Sequence, residues 1–170
     1  MVRVTQVLDS WKGIRQDTVT AVEEFPAGEF AFRPAADLAT FGEIARHILM
    51  AGDGLTGLLL AGQTDFTGPE FRERMKAHTR ELPQDAGASA LAAALRESIE
   101  QRVSQLAAQS ADYYAQIVKR PDGQEATRLE MVQWVKEHEL THRQQLFTYL
   151  RLKGVVPATT RRRLARQAAK

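Results

Sequence analysis

Glu137-His138-Glu139-Leu140-Thr141-His142-Arg143-Gln144-Gln145 sits inside one long helical pattern. His138 and His142 are four residues apart, so on a helix they lie ~40° apart in azimuth and ~6 Å apart along the axis. Two imidazoles so placed can close on one metal ion. The bland alternative is a pair of polar residues on a half-wet helix face.

The same letters read H-E-x-x-H, in which two His bind zinc and the Glu acts as general base. That chemistry needs a third ligand, usually downstream of the motif. Residues 143–170 contain no His, Asp or Glu, and Gln145 stands where the extended motif requires Gly. A zincin protease is therefore not expected, and a third ligand, if there is one, must come from upstream.

Working outward, Thr127-Arg128-Leu129-Glu130 has the capping-box pattern and opens the helix, predicted over about 127–153. Met131, Trp134, Val135, Leu146 and Tyr149 form its apolar stripe. His138 follows Trp134 by four and His142 precedes Leu146 by four, so both project from that stripe. Gly154 and Pro157 end the helix.

Three more amphipathic helices precede it. Val4, Val7, Leu8, Trp11, Ile14, Thr18, Val22 and Phe25 recur at helical spacing over roughly 3–25. A second capping box, Thr40-Phe41-Gly42-Glu43, opens a helix to about residue 61, with Ile44, Ile48, Ala51, Leu55 and Leu58 inward. His47 lies near that inward face, and Glu43, one turn earlier, is a candidate to orient its ring. Leu91, Leu95, Ile99, Val103 and Leu106 mark a third helix over about 86–109.

The connection from helix two to helix three carries a short charged helical piece, Glu70 to His78, and is long enough to run the length of a bundle. His78 sits among charges and reads as exposed. Segment 112–124 reads as irregular around the turn at Pro121-Asp122-Gly123, with room for short strand pairing. The Phe30 and Phe32 segment reads as an ordered loop plugging one end of the core. The fold class is all-α: a four-helix bundle, expected to be antiparallel, with a long crossover between helices two and three.

Composition narrows the function classes. The 170 residues contain no cysteine, which removes Cys nucleophiles, thiolate zinc sites and disulfides and fits a reducing cytoplasm. No apolar run approaches the ~20 residues of a membrane span, and the N-terminus lacks the apolar core of a signal peptide. Residues 151–170 hold seven Lys/Arg and no acid, which makes the tail +7 and the body −5. Such a tail can touch nucleic acid or anionic lipid, but it reads here as a solvated end or one docked on the acidic body. The domain expectation is a bundle over 1–157 followed by a basic tail over 158–170.

His47, His138 and His142 thus converge from two helices on one bundle interior. Burying three unpaired imidazoles wastes hydrogen bonds, whereas one divalent ion satisfies all three. Three neutral His leave coordination positions open, as catalytic sites do. Zinc, nickel and iron(II) all suit such donors. Glu139 is a candidate base or ring-orienting group, although ~100° from His138 it is as compatible with a solvent-facing position.

At these residues the chain resembles the DinB/YfiT-like family of bacterial four-helix-bundle proteins. The resemblance rests on Ile44-Ala45-Arg46-His47-Ile48, on His138-Glu139-Leu140-Thr141-His142-Arg143-Gln144-Gln145, and on the ending Tyr149-Leu150-Arg151-Leu152-Lys153-Gly154-Val155-Val156-Pro157. It implies a metal-binding homodimer in the cytoplasm, with His47, His138 and His142 as ligands. It also implies either a metal-dependent hydrolase or a transferase of low-molecular-weight thiols such as bacillithiol or mycothiol, with a thiol or its conjugate as substrate. Many relatives have Gly where Gln144 stands. The alternative is a non-enzymatic stress-response or binding module with structural or absent metal; nucleic acid is not an expected partner.

Overall fold

The computed structural model describes residues 3–169. Four long helices, α1 (Val4–Glu24), α2 (Phe41–Leu60), α4 (Ala88–Ala107) and α6 (Arg128–Leu152), carry the architecture. Between them lie α3 (Phe71–Lys76), α5 (Ala111–Ala115) and the strands β1 (Ile117–Lys119) and β2 (Glu125–Thr127), and α7 (Ala158–Ala168) follows. The strands pair antiparallel, with Val118 opposite Ala126, around a turn in which Gly123 has φ +83°.

Local chemistry sets the helix ends. At α2 the Thr40 hydroxyl accepts from the Glu43 backbone N–H, and the Glu43 carboxylate accepts from the Thr40 N–H at 2.7 Å. Thr127 and Glu130 repeat the arrangement at α6. Each box satisfies amide donors that the first helical turn leaves without partners.

The core divides into two apolar halves. One takes Trp11 from α1, Leu55 and Leu59 from α2, Leu106 from α4 and Val135 from α6. The other takes Val22, Ile44, Leu91 and Leu150 from the same four helices. The N-terminal halves of α1 and α6 therefore lie with the C-terminal halves of α2 and α4. So α1 and α6 run one way, and α2 and α4 the other. Packing of α1 on α4 and α6, and of α2 on the same two, sets α1 diagonal to α2. The expectation of an antiparallel bundle is corrected at two packed pairs, α2–α4 and α1–α6, which are both parallel because residues 61–87 carry the chain back along the bundle before α4 begins.

That crossover is pinned by Asp53, which is 1% exposed on α2. Its carboxylate accepts from Ser98 Oγ at 2.6 Å and from Arg80 Nε at 2.9 Å, while Arg102 donates to the His78 carbonyl at 2.6 Å. Gly54 and Gly57 let the crossover approach: a Cβ on either would stand 2.9 Å from Met75 or 2.5 Å from His78. His78 is accordingly half-buried against α2 rather than exposed. The four aromatic rings Phe25, Phe30, Phe32 and Phe41 close the opposite end, with Phe25 and Phe41 stacked at 3.6 Å.

The basic tail forms α7, which buries none of its residues. It lies against α1 through Arg161 with Glu24 and Arg162 with Asp17. Among the described residues no helix is long and apolar enough to cross a membrane.

Candidate metal centre

A polar layer separates the two core halves, and α6 contributes to it on two sides. His138 and His142 face α2, and Glu139 faces α1. The Nε2 atoms of His47 and His138 are 3.1 Å apart, and those of His142 and His138 are 3.2 Å apart. All three rings are half-buried, and their ligand atoms lie within 4.8 Å of one another.

The spacing fits a metal. Three nitrogens held ~2.0–2.1 Å from one ion in tetrahedral geometry stand about 3.3 Å apart. The hydrogen-bond pattern fits as well. His142 Nδ1 donates to Gln145 Oε1 at 2.7 Å, which leaves the lone pair on Nε2, aimed at the other two rings. A cluster of inward nitrogen lone pairs is repulsive unless a proton or a cation sits between them.

Burial, then the neighbouring His142 and His47, pushes His138 down from 6.5 to about 4, with Glu139 opposing. Burial, then the charges of His142 and Arg72, lowers His47. Both shifts favour the neutral, ligating form at physiological pH.

Two expectations about the surroundings are corrected. Glu43 does not orient His47; its carboxylate is engaged in the α2 capping box. Glu139 does not face solvent, and its geometry does not suit a base: it is 2% exposed and accepts from four donors. These are Trp11 Nε1 at 2.7 Å, Arg15 Nε at 2.7 Å, Arg15 Nη2 at 2.8 Å and Thr18 Oγ1 at 2.9 Å. Sequence reasoning missed Arg15 and Gln145. Arg15 interrupts the apolar stripe one turn after Trp11, and Gln145 follows His142 by three, the spacing at which helical side chains meet.

Beside the histidines, Trp134 places its ring 5.9 Å from that of His138. A cleft of about 620 Å³ opens next to His47, between α2 and the crossover, with Met50, Thr79 and Leu82 on its walls.

A model of the DinB family matches residues 1–169. The chain belongs to the DinB family. Its fold matches solved members: YjoA, a DinB-like protein of Bacillus subtilis, aligns with a TM-score of 0.67 at 19% identity, over 88% of this chain and 92% of its own. YfiT of Bacillus subtilis, described as a probable metal-dependent hydrolase with an unusual four-helix bundle topology, aligns with a TM-score of 0.64 at 16% identity, over 91% of each chain. The mycothiol-dependent maleylpyruvate isomerase aligns with a TM-score of 0.67 at 15% identity, over 85% of this DinB chain but only 61% of the isomerase. At these identities the likeness is one of fold. No curated protein matches the sequence.

Proposed function

We propose that this DinB protein is a metalloenzyme that holds one divalent ion through the Nε2 atoms of His47, His138 and His142, and that it carries out hydrolysis or the transfer of a low-molecular-weight thiol. The observation that carries this reading is the pair of Nε2–Nε2 distances, 3.1 and 3.2 Å, among rings with no carboxylate bonded to them. When bound, such an ion supplies Lewis acidity and lowers the pKa of a coordinated water or thiol.

The residues around the site have separate tasks. Gln145 fixes the tautomer of His142, and burial keeps His138 neutral. Glu139 clamps α6 to α1 behind the ligands, which holds His138 and His142 at a fixed depth. Three neutral ligands leave positions for substrate, and the cleft beside His47 gives it room. The description of YfiT as a probable metal-dependent hydrolase supports the first reaction class, and the mycothiol dependence of the isomerase supports the second. The same proposal takes the protein to be a cytoplasmic homodimer.

Elemental analysis of untagged protein tests the metal and its identity among zinc, nickel and iron. One equivalent per chain that disappears in the His138→Ala variant is the expected result. Turnover of ester or thiol-adduct substrates by the loaded protein then separates the reaction classes. Stoichiometric metal without any exchangeable position would overturn the enzymatic reading in favour of a structural ion.

A further inference from the structure

The cleft beside His47 contains three cations from the chain, and their partners differ. Arg80 is paired with Asp53 at 2.9 Å and Glu97 at 3.2 Å. Lys76 is paired with Glu73 at 2.6 Å. Arg46, immediately before His47 on α2, has no carboxylate within ion-pair distance among the described residues. Its Nη2 alone is engaged, donating to the carbonyls of Gln84 at 2.7 Å and Ala86 at 3.0 Å. Nε and Nη1 have no protein acceptor, yet neither is sealed from solvent.

Arg46 is thus tethered to the crossover by one nitrogen, which holds the guanidinium half-buried and fixed in place. The remaining donors keep a full positive charge beside the cleft. Neither of the two carboxylates on the same walls, Glu43 and Glu81, is within ion-pair distance of it. Glu43 is bonded to the Thr40 backbone N–H, and Glu81 is exposed on the crossover. Leu49, Met50 and Leu82 add apolar surface to a lining that also carries Thr79 and Gln84. A larger hollow of about 720 Å³ on the far side of Arg46 is lined by none of the three histidines.

We propose that the cleft is an anion-anchoring subsite, in which Arg46 holds the carboxylate or phosphate group of a small organic substrate while its other end reaches the three-histidine centre. The inference rests on the metal reading above and adds the substrate class. A volume of about 620 Å³ lies within the usual range for a low-molecular-weight ligand. A mixed wall that holds one cation without a carboxylate partner, Arg46, and one of the three histidines suits a short chain with an oxyanion at one end and a metal-seeking atom at the other. A charge-assisted hydrogen bond to a fixed, partly desolvated guanidinium contributes about tenfold or more in affinity.

The test uses cobalt(II)-loaded full-length protein and reads ligand binding from the cobalt absorption spectrum. A series of ω-mercaptocarboxylates of increasing length is compared with the matching ω-mercaptoalcohols, and ω-mercaptoalkyl phosphates form a third arm. At least one chain length should bind about tenfold more tightly as the acid than as the alcohol. Whichever anion shows the larger gain identifies the headgroup. In Arg46→Gln that acid-to-alcohol ratio should fall to about one while cobalt affinity stays within a few-fold of wild type. Because both ligands are read on the same variant, a general loss of stability lowers both and leaves the ratio unchanged. Should Arg46→Gln fail to hold cobalt, Arg46→Lys keeps a donor for the two carbonyls, and its ratio should fall several-fold. A wild-type ratio near one, or a ratio that survives both substitutions, overturns the subsite while leaving the metal reading intact. Wild-type protein that binds no cobalt overturns the metal reading, and the subsite with it.

Discussion

Arg15 on α1 and Glu139 on α6 form a buried two-point ion pair, Nε to Oε1 at 2.7 Å and Nη2 to Oε2 at 2.8 Å. Trp11 and Thr18 complete the carboxylate's donors, and the Leu95 carbonyl accepts from Arg15 Nη1 at 3.1 Å. Three helices therefore meet on one carboxylate and one guanidinium, directly behind His138.

Removing one partner strands the other charge in the core. Glu139→Ala is expected to lower unfolding stability by about 3–5 kcal/mol, measured by urea denaturation. Arg15→Met should cost a similar amount. If Glu139 were instead the catalytic base, Glu139→Gln would abolish turnover in a protein of unchanged stability. A clear loss of stability in that variant marks the clamp.

His138→Ala should lower metal affinity far more than Gln145→Ala, because the first removes a ligand and the second only frees a ring. For Gln145→Ala a loss of about 10–100-fold is expected. Trp134 is a built-in reporter: with its ring 5.9 Å from His138, its fluorescence should be quenched by nickel or cobalt, and Trp134→Phe should remove that signal. His78→Ala should titrate as wild type, since His78 packs against Gly57 and lies outside the triad.

The helices and the His138–His142 pair were legible because both depend on short-range spacing. The stripes from Trp11 to Phe25 and from Met131 to Tyr149, with Thr-x-x-Glu boxes at Thr40 and Thr127, place α1, α2 and α6 within a residue or two of their observed ends. That His47 joins this cluster was legible because it lies near the apolar face of a different helix. The Arg15–Glu139 clamp was not legible. The residues are far apart in sequence, and an arginine inside an apolar stripe looks the same whether it snorkels to water or finds a carboxylate. Helix direction also escaped the pattern, because α2 and α4 are amphipathic whichever way they run. Only the length of the 61–87 connection hinted at the parallel pairs α2–α4 and α1–α6.

The tail is expected to be dispensable for folding. None of the α7 residues is buried, and its ion pairs with Asp17 and Glu24 involve half-exposed arginines. Such exposed pairs contribute little to stability and are screened by salt. Deleting residues 158–170 should shift Tm by no more than a few degrees. A much larger drop would show that α7 is part of the bundle domain.

Acid should destabilise the metal-free protein through His138. Its folded pKa is depressed from 6.5 to about 4, first by burial and then by His142 and His47. Between those two values the unfolded chain binds a proton that the folded chain excludes, so stability rises with pH across that window. Above 6.5 both states are neutral at this residue and the full stability is present. As pH falls from 6.5 towards 4 that stability is lost, and below about 4 both states are protonated and the slope vanishes. His47 adds to the same trend, since its pKa is also lowered. Thermal melts of chelator-treated protein between pH 7 and pH 4 check this, with Tm expected to fall across the interval and to fall less steeply in His138→Gln. Divalent metal competes with protons for the same lone pairs, so loading should raise Tm most at neutral pH, with the gain shrinking on the acid side. A metal-free Tm that stays level from neutral pH down to pH 4 would mean that the histidines are not held neutral by the fold.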